Sequence, residues 1–223
     1  MGVMALLAVG EATLVRAQVR LDSPSTPSGY LARLLINETA FPGEPAYRSE
    51  ADSRAAMQAM LWVLHSRLNH VPEGYSQRQV ADVESRCILD VITANGVKGQ
   101  VEGFYRDAQG RLRMARRVQE RVDYLLLLAN RGRPGPVAGL LNHAQTLARD
   151  YFKAGPPGED IFADLKRIGG KLVTGRAYAW MTDSNRFDPG GDFVRIPEHL
   201  LGSLGGNRFY TLEKRPSSRR QGS

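Results

Sequence analysis

Cysteine is nearly absent from this chain of 223 residues. Its one cysteine, Cys87, excludes an intramolecular disulfide and any cysteine-rich zinc site. Histidine is also scarce, and its four copies lack the spacing of metal ligands (His65, His70, His143 and His199). The sequence therefore predicts neither a metal site nor another cofactor.

Long apolar runs are missing as well. No stretch reaches the roughly 18 apolar residues of a membrane-spanning helix, so we expect no stable membrane insertion. The start of the chain, residues 1–10, is apolar but has no basic residue before the apolar part, and Glu11 and Arg16 follow it. This pattern does not predict a normal secretory signal.

Positive charge is in excess. The formal net charge is +7 and the isoelectric point is near 9.8, which is typical of proteins with a polyanionic partner such as nucleic acid, an anionic membrane or the bacterial cell wall. An apolar fraction of 42% is sufficient for a sizeable core, and the length fits one domain.

Helical periodicity dominates the chain. The spacing of apolar residues predicts helices at about 27–39, 49–68, 77–94, 113–130, 137–153 and 160–168, and short strands at 177–181 and 208–212. We therefore expect a mainly α (α+β) fold with a small β element near the C-terminus. The predicted organisation is an N-terminal extension or linker at 1–28, a domain at 29–213 and a disordered basic tail at 214–223.

Glu38 stands out because it falls on an apolar helix stripe. In a helix over 27–39 it lies one turn beyond Leu34, on the stripe that also contains Leu31 and Leu35. An apolar wall and the negative end of the helix dipole both favour the neutral carboxylic acid. The alternative is a helix-end glutamate that turns out to solvent. A protonated carboxyl at neutral pH is what protonation of a glycosidic oxygen requires.

Five short blocks of sequence form a recognisable series. They are Asn37-Glu38-Thr39 followed by Gly43-Glu44-Pro45, then Val63–Leu68, Gly99-Gln100-Val101 after the Val91-Ile92 pair, Ala177-Tyr178 and Gly205–Tyr210. In this order they resemble the SleB-type cell-wall hydrolases, which include the spore cortex-lytic enzymes, and the first block is similar to the family's GEARGEP signature.

The chain also departs from the family pattern. Two extra residues separate Glu38 from Gly43-Glu44, and Ser66, Val101 and Arg208 replace the family's Asn, Phe and His. An insertion at about 102–130 contains six arginines between positions 106 and 121.

The resemblance implies a lysozyme-like domain that acts as a peptidoglycan lytic transglycosylase (a muramidase-type glycosidase) on the β-1,4 bond between N-acetylmuramic acid and N-acetylglucosamine. Its glycan strands would be the main partner. Glu38 would act first as the acid and then as the base. Glu44 is the nearest second carboxylate, and it either orients the loop and binds sugar or serves as a second catalytic group, which would permit simple hydrolysis.

Further substrate-binding candidates are amide and aromatic side chains. Gln100 either hydrogen-bonds a sugar or caps its own loop. Tyr105, Tyr178 and Trp180 can stack on sugar rings, whereas Tyr178 and Trp180 can instead share one strand face packed on the core. Asn207 either donates to the substrate or occupies a turn after two glycines.

Two other functions compete with this hypothesis. The first is a basic helical module that binds nucleic acid through the arginines at 111–121. It is disfavoured because no recognised motif is present and no aromatic residues are interleaved with them, so we expect no nucleic-acid partner. The second is a Cys/His peptidoglycan amidase built on Cys87, which the periodicity places on the apolar face of a helix interior, where a thiol is normally inert.

The site of action is expected to be the periplasm or cell wall. Without an export signal, three delivery routes fit this location: a secretion-machine toxin, a phage lysin, or an N-terminus that differs from the one given. A toxin would have an immunity protein as its partner.

Overall fold

The protein is described by a computed structural model at residues 18–131, 135–183 and 188–215. These ranges contain six α-helices: α1 (Pro27–Asn37), α2 (Glu50–Asn69), α3 (Gln77–Ala81), α4 (Ile88–Thr93), α5 (Arg116–Asn130) and α6 (Pro136–Ala154). Their strands are β1 (Phe104–Arg106), β2 (Leu112–Met114), β3 (Arg167–Ile168), β4 (Lys171–Thr182), β5 (Phe193–Arg195), β6 (Ser203–Leu204) and β7 (Asn207–Glu213). Short 3-10 turns span Gly96–Lys98 and Glu198–Leu200.

Local sequence sets the two central helices. Thr26 caps α1 by accepting from the Gly29 N–H, and Pro27 occupies the first turn, where its missing N–H has no consequence. Ser49 caps α2 in the same way through the Asp52 N–H. The predicted bounds of α1, α2 and α6 are confirmed to within one or two residues, and half of the residues of α2 are buried.

The sheet is larger than the sequence predicts. Strands β3, β4, β7 and β5 pair antiparallel in that order, β6 also pairs with β7, and the sheet curls into a half-barrel. The expectation of a mainly α, lysozyme-like domain with a small β element is therefore wrong. Helices, including the 3-10 turns, make up 43% of the described residues and share the core with a substantial β element.

Two further predictions fail for local reasons. The helix expected at 77–94 is broken, because Asp82 adopts a left-handed conformation (φ 56°) and the Gln77 side chain binds the backbone of Ser85 in the intervening loop. No helix forms at 160–168, where a turn leads into β3.

The arginine-rich insertion folds as a hairpin and a helix. Strands β1 and β2 pair antiparallel across a turn in which the Asp107 carboxylate accepts from the backbone N–H groups of Gln109 and Arg111. Helix α5 therefore begins at Arg116, three residues later than predicted.

The N-terminal part of the described chain is attached to the helices that follow. The Val19 N–H donates to Asn130 on α5, and Asp22 accepts from Gln145 and Arg149 on α6. Most of the predicted extension and tail, residues 1–17 and 216–223, lies outside the described residues. Within the described residues, no helix is long and apolar enough to cross a membrane.

Candidate functional site

A polar cleft of 580 Å³ opens where the C-terminal end of α1 meets α5 and the β4 and β6–β7 region. Its size lies within the range of about 300–1,000 Å³ that is usual for small-ligand sites. Four of the predicted site residues line it: Glu38, Glu44, Gln100 and Trp180. Residues far apart in the sequence, from Asn37 to Gly206, therefore contribute to one surface.

Glu38 occupies the C-cap of α1, as its place at the end of the apolar stripe predicts. The stripe residues Leu31, Leu34 and Leu35 are fully buried, while Glu38 is half-buried at the edge of the cleft. Both carboxyl oxygens accept hydrogen bonds: Oε1 from Asn37 Nδ2 at 2.8 Å and Oε2 from Trp180 Nε1 at 3.2 Å. The solvent-facing alternative for this side chain is therefore wrong.

Burial controls the protonation of Glu38. Desolvation raises the pKa of its carboxyl, and this effect exceeds the opposing effects of the Asn37 and Trp180 hydrogen bonds and of the Arg117 and Arg121 charges. The neutral acid therefore persists to higher pH than in an ordinary glutamate, which gives the cleft a proton donor.

Glu44 does not share this environment. Its carboxylate forms a bidentate pair with the Arg121 guanidinium at 2.8 Å and accepts from the Phe41 N–H at 2.8 Å. Arg121 also donates to the carbonyls of Ile36 and Thr39 at the C-terminal end of α1, where backbone carbonyls lack partners within the helix. Glu44 thus ties the loop after α1 to helix α5, in agreement with the orienting role among its two predicted alternatives.

Gln100 is engaged on both sides of its amide. Its Oε1 accepts from Arg67 Nη1, and its Nε2 donates to Asp82 Oδ2 at 2.7 Å. The two alternatives for Gln100 were a sugar contact and a loop cap. Its contacts are with the side chains of Arg67 on α2 and Asp82 after α3, so they are not those of a loop cap, and the sugar contact stays a prediction.

The remaining predicted binding residues lie outside the cleft. Tyr105 is half-buried on β1, opposite Arg113. Tyr178 is buried, donates to the His70 carbonyl at 2.6 Å and lines a second cleft of 490 Å³. A bulge in β4 between Ala177 and Ala179 disrupts the alternation that would give Tyr178 and Trp180 equivalent surroundings.

Asn207 supports the site from behind. It is buried, and its Nδ2 donates to the backbone carbonyl of Glu38 at 2.6 Å and to that of Gly205. The predicted turn role is wrong, because Asn207 is the first residue of β7. Its side chain binds the backbone at Glu38 and Gly205, and donation to a substrate stays a prediction.

Sequence reasoning missed three basic residues of the site. Arg67, Arg117 and Arg121 either line the cleft or contact a side chain that does. Arg67 follows Val63 and Leu64 on the buried face of α2, and Arg121 lies between Val118 and Leu125 on the buried face of α5. Both Arg67 and Arg121 therefore place a charge on an apolar helix stripe, which is the same signal that identifies Glu38 in the sequence.

The competing chemistries find little support in the geometry. Each of the six insertion arginines makes an ion pair with a carboxylate, and two of them share Asp107, so most of the charge of the run is compensated (Arg106, Arg111, Arg113, Arg116, Arg117 and Arg121). The prediction that Cys87 is a buried core residue is wrong, because it is exposed and caps α4. In the described part of the chain, no hydrogen bond joins Cys87 to a histidine ring. Among the same residues, no group of three His, Cys, Asp or Glu side chains is placed to hold a metal ion.

We predict that Arg121→Met lowers the free energy of unfolding by about 2 kcal/mol, because hydrogen bonds that involve a charged group typically contribute about 1.5–3 kcal/mol and this side chain makes several. The matched control is Arg116→Met on the same helix, whose ion pair with Glu120 is largely exposed and should contribute less than about 0.5 kcal/mol. Urea denaturation measures both. Equal effects would show that the Arg121 contacts do not stabilise the α1–α5 junction.

The raised pKa of Glu38 predicts a pH-dependent stability difference between Glu38→Gln and the wild type. In the folded state Glu38 keeps its proton above pH 4.5, the ordinary pKa at which the unfolded chain loses it. The neutral acid therefore stabilises the folded state at low pH, and this stability is lost as pH rises through the folded pKa. Glutamine has no such loss. The advantage of Glu38→Gln over wild type in urea denaturation should therefore grow as pH rises above 4.5. A difference independent of pH would contradict the raised pKa.

Searches against protein-family models, curated proteins and solved structures found no match for this chain.

Proposed function

We propose that the protein cleaves the β-1,4 glycosidic bond between N-acetylmuramic acid and N-acetylglucosamine in peptidoglycan, as a lytic transglycosylase with Glu38 as its acid and base. The observation that carries the proposal is a half-buried carboxyl of raised pKa at the edge of a polar cleft. The order of the five sequence blocks that resemble SleB-type hydrolases supplies the substrate class.

The proposed reaction uses one carboxyl twice. Protonated Glu38 gives its proton to the bridging oxygen as the bond from that oxygen to C1 of the muramic residue breaks. The C6 hydroxyl of the same residue then attacks C1, and the Glu38 carboxylate takes the hydroxyl proton. The products are a free N-acetylglucosamine end and a 1,6-anhydro ring, and Glu38 is again neutral. Positioned acid–base catalysis of this kind contributes about 10²–10⁴-fold in rate.

The other carboxylates of the cleft support a mechanism with one acid. Hydrolases with two catalytic carboxyls need the second one free to act as nucleophile or base. Glu44 is held by Arg121 and by the Phe41 N–H, and Glu102 is paired with Arg117 at the rim. Among the described carboxyl groups that line the cleft, Glu38 is the one outside an ion pair.

The surroundings of Glu38 also suit the charge changes of the reaction. When Glu38 gives up its proton, the hydrogen bonds from Asn37 and Trp180 become charge-assisted and therefore stronger. Because these donors are already in place, they stabilise the carboxylate without reorganisation at the moment of proton transfer.

Digestion of purified peptidoglycan sacculi tests the proposal. The protein is incubated with sacculi, and the soluble fragments are analysed by mass spectrometry. Anhydro-muropeptides, which have lost one water relative to fragments with a reducing end, are the expected product. Reducing-end fragments would point to hydrolysis, and the absence of glycan fragments would overturn the proposed activity. Salt-sensitive binding of oligonucleotides, measured in parallel, would favour the nucleic-acid alternative.

A further inference from the structure

Arg67 is a buried cation without a direct carboxylate partner among the described residues. Its residue surface is 5% exposed, and burial lowers the pKa of its guanidinium to about 10. Removing a charge from water is unfavourable by several kcal/mol unless the charge is paired and hydrogen-bonded. The contacts of the Arg67 guanidinium therefore indicate why a charged residue is kept at this buried position.

Two neutral acceptors hold the guanidinium in one orientation. Arg67 Nε donates to the Tyr178 carbonyl at 2.6 Å, and Nη1 donates to Gln100 Oε1. The Gln100 amide in turn donates to the exposed carboxylate of Asp82 at 2.7 Å. The carboxylate of Asp82, whose charge favours the protonated guanidinium, is thus linked to Arg67 by hydrogen bonds through the amide of Gln100.

The oriented guanidinium lies against the ring of Trp180. Its central carbon is 5.6 Å from the ring centroid, which is within the range of a cation–π contact. The far edge of the same indole presents Nε1–H to Glu38 Oε2 at 3.2 Å. Asp82, Gln100, Arg67, Trp180 and Glu38 therefore form one continuous chain of contacts.

The other charged groups near Glu38 approach it from different elements. Arg117 and Arg121 belong to α5, Glu44 lies in the loop after α1, and Glu102 lies at the rim before β1. In the described part of the chain, none of these four groups makes a hydrogen bond, ion pair or cation–π contact with the indole of Trp180, so the chain through Arg67 is separate from them.

We propose that Arg67 is a positioning residue that holds the Trp180 indole so that its N–H stays directed at the Glu38 carboxyl. The planar fork of arginine is essential to this role, because one guanidinium must bind two acceptors and face the ring at the same time. Lysine keeps the charge but cannot reproduce that geometry. The inference rests on the proposed function only for the meaning of Glu38 as an acid, since the contacts themselves do not depend on it.

The indole N–H resonances of the 15N-labelled protein provide the test. The chain has two tryptophans, Trp62 and Trp180, and Trp180→Phe assigns the signals. In wild type the Trp180 resonance should shift with pH as Glu38 ionises, and Glu38→Gln should abolish this shift. In Arg67→Lys we expect the shift to be lost, because the indole is no longer fixed. Trp62, packed against His65 and Arg176, serves as the folding control.

The inference is overturned if Arg67→Lys keeps the wild-type pH shift of Trp180. Should that variant fail to fold, Gln100→Met removes one acceptor of the guanidinium from a half-buried loop position, and it should reduce the shift. An unchanged shift in Gln100→Met would overturn the inference equally. This measurement needs no glycan, so a failure of sacculus digestion would refute the proposed activity and leave the result on Arg67 intact.

Discussion

Glu38→Gln is expected to reduce the release of anhydro-muropeptides from sacculi by about 10²–10⁴-fold, the usual contribution of a positioned acid–base group. Glutamine preserves the size of the side chain and can still accept from Trp180 through its amide oxygen, but it has no proton to give to a glycosidic oxygen. Any residual activity would come from binding in the cleft. Initial rates of fragment release, quantified by mass spectrometry, measure the effect.

Glu102→Gln is the matched control, because it makes the same chemical change at the rim of the same cleft. Its carboxylate is largely exposed and paired with Arg117, so we expect a less than tenfold effect on release. Glu44→Gln would weaken the contact with Arg121 and lower stability without removing the proton donor. If Glu38→Gln were as active as Glu102→Gln, Glu38 would not be the acid.

Gly205→Ala is expected to lower the free energy of unfolding by about 2–5 kcal/mol. Gly205 has φ +55°, and a Cβ there would lie 2.4 Å from the Cβ of Ala56 on the buried helix α2. The left-handed conformation is unfavourable for alanine by about 1–2 kcal/mol, and overpacking of a core contributes about 1–3 kcal/mol more. The turn also holds the site, since the Ala40 N–H donates to the Gly205 carbonyl and Asp52 accepts from the Gly205 N–H.

Gly169→Ala separates the two contributions. Gly169 has nearly the same φ, +56°, but a Cβ there would meet no atom within 4 Å. This variant should therefore lose only about 1–2 kcal/mol in urea denaturation, from the backbone conformation alone. Equal losses in the two variants would show that the close contact between the Gly205 turn and α2 does not contribute.

One sequence pattern can identify both the acidic and the basic residues of the site. Glu38, Arg67 and Arg121 each carry a charge on the apolar stripe of a helix, and the stripe can be read from local spacing. Among these three, only Glu38 is predicted from the sequence. Arg121 belongs to a run of arginines, which obscures its place on the buried face of α5.

The partners of these charges were not accessible from local spacing. Trp180 meets Glu38 across 142 positions of sequence, and Arg121 meets Glu44 across 77. Such contacts depend on how the half-barrel curls against the helices. The short strands and the bulge in β4 leave little periodicity from which that curl could be predicted.

The contact between Asn207 and the Glu38 carbonyl also bears on the order in which the chain is synthesised. It joins residues 169 positions apart, so Glu38 leaves the ribosome long before the strand that secures it. Contacts of such large separation form late, because a long loop must close before they contribute. A nascent chain that ends before β7 therefore contains Glu38 but lacks Asn207, whose side chain binds the Glu38 carbonyl in the folded protein.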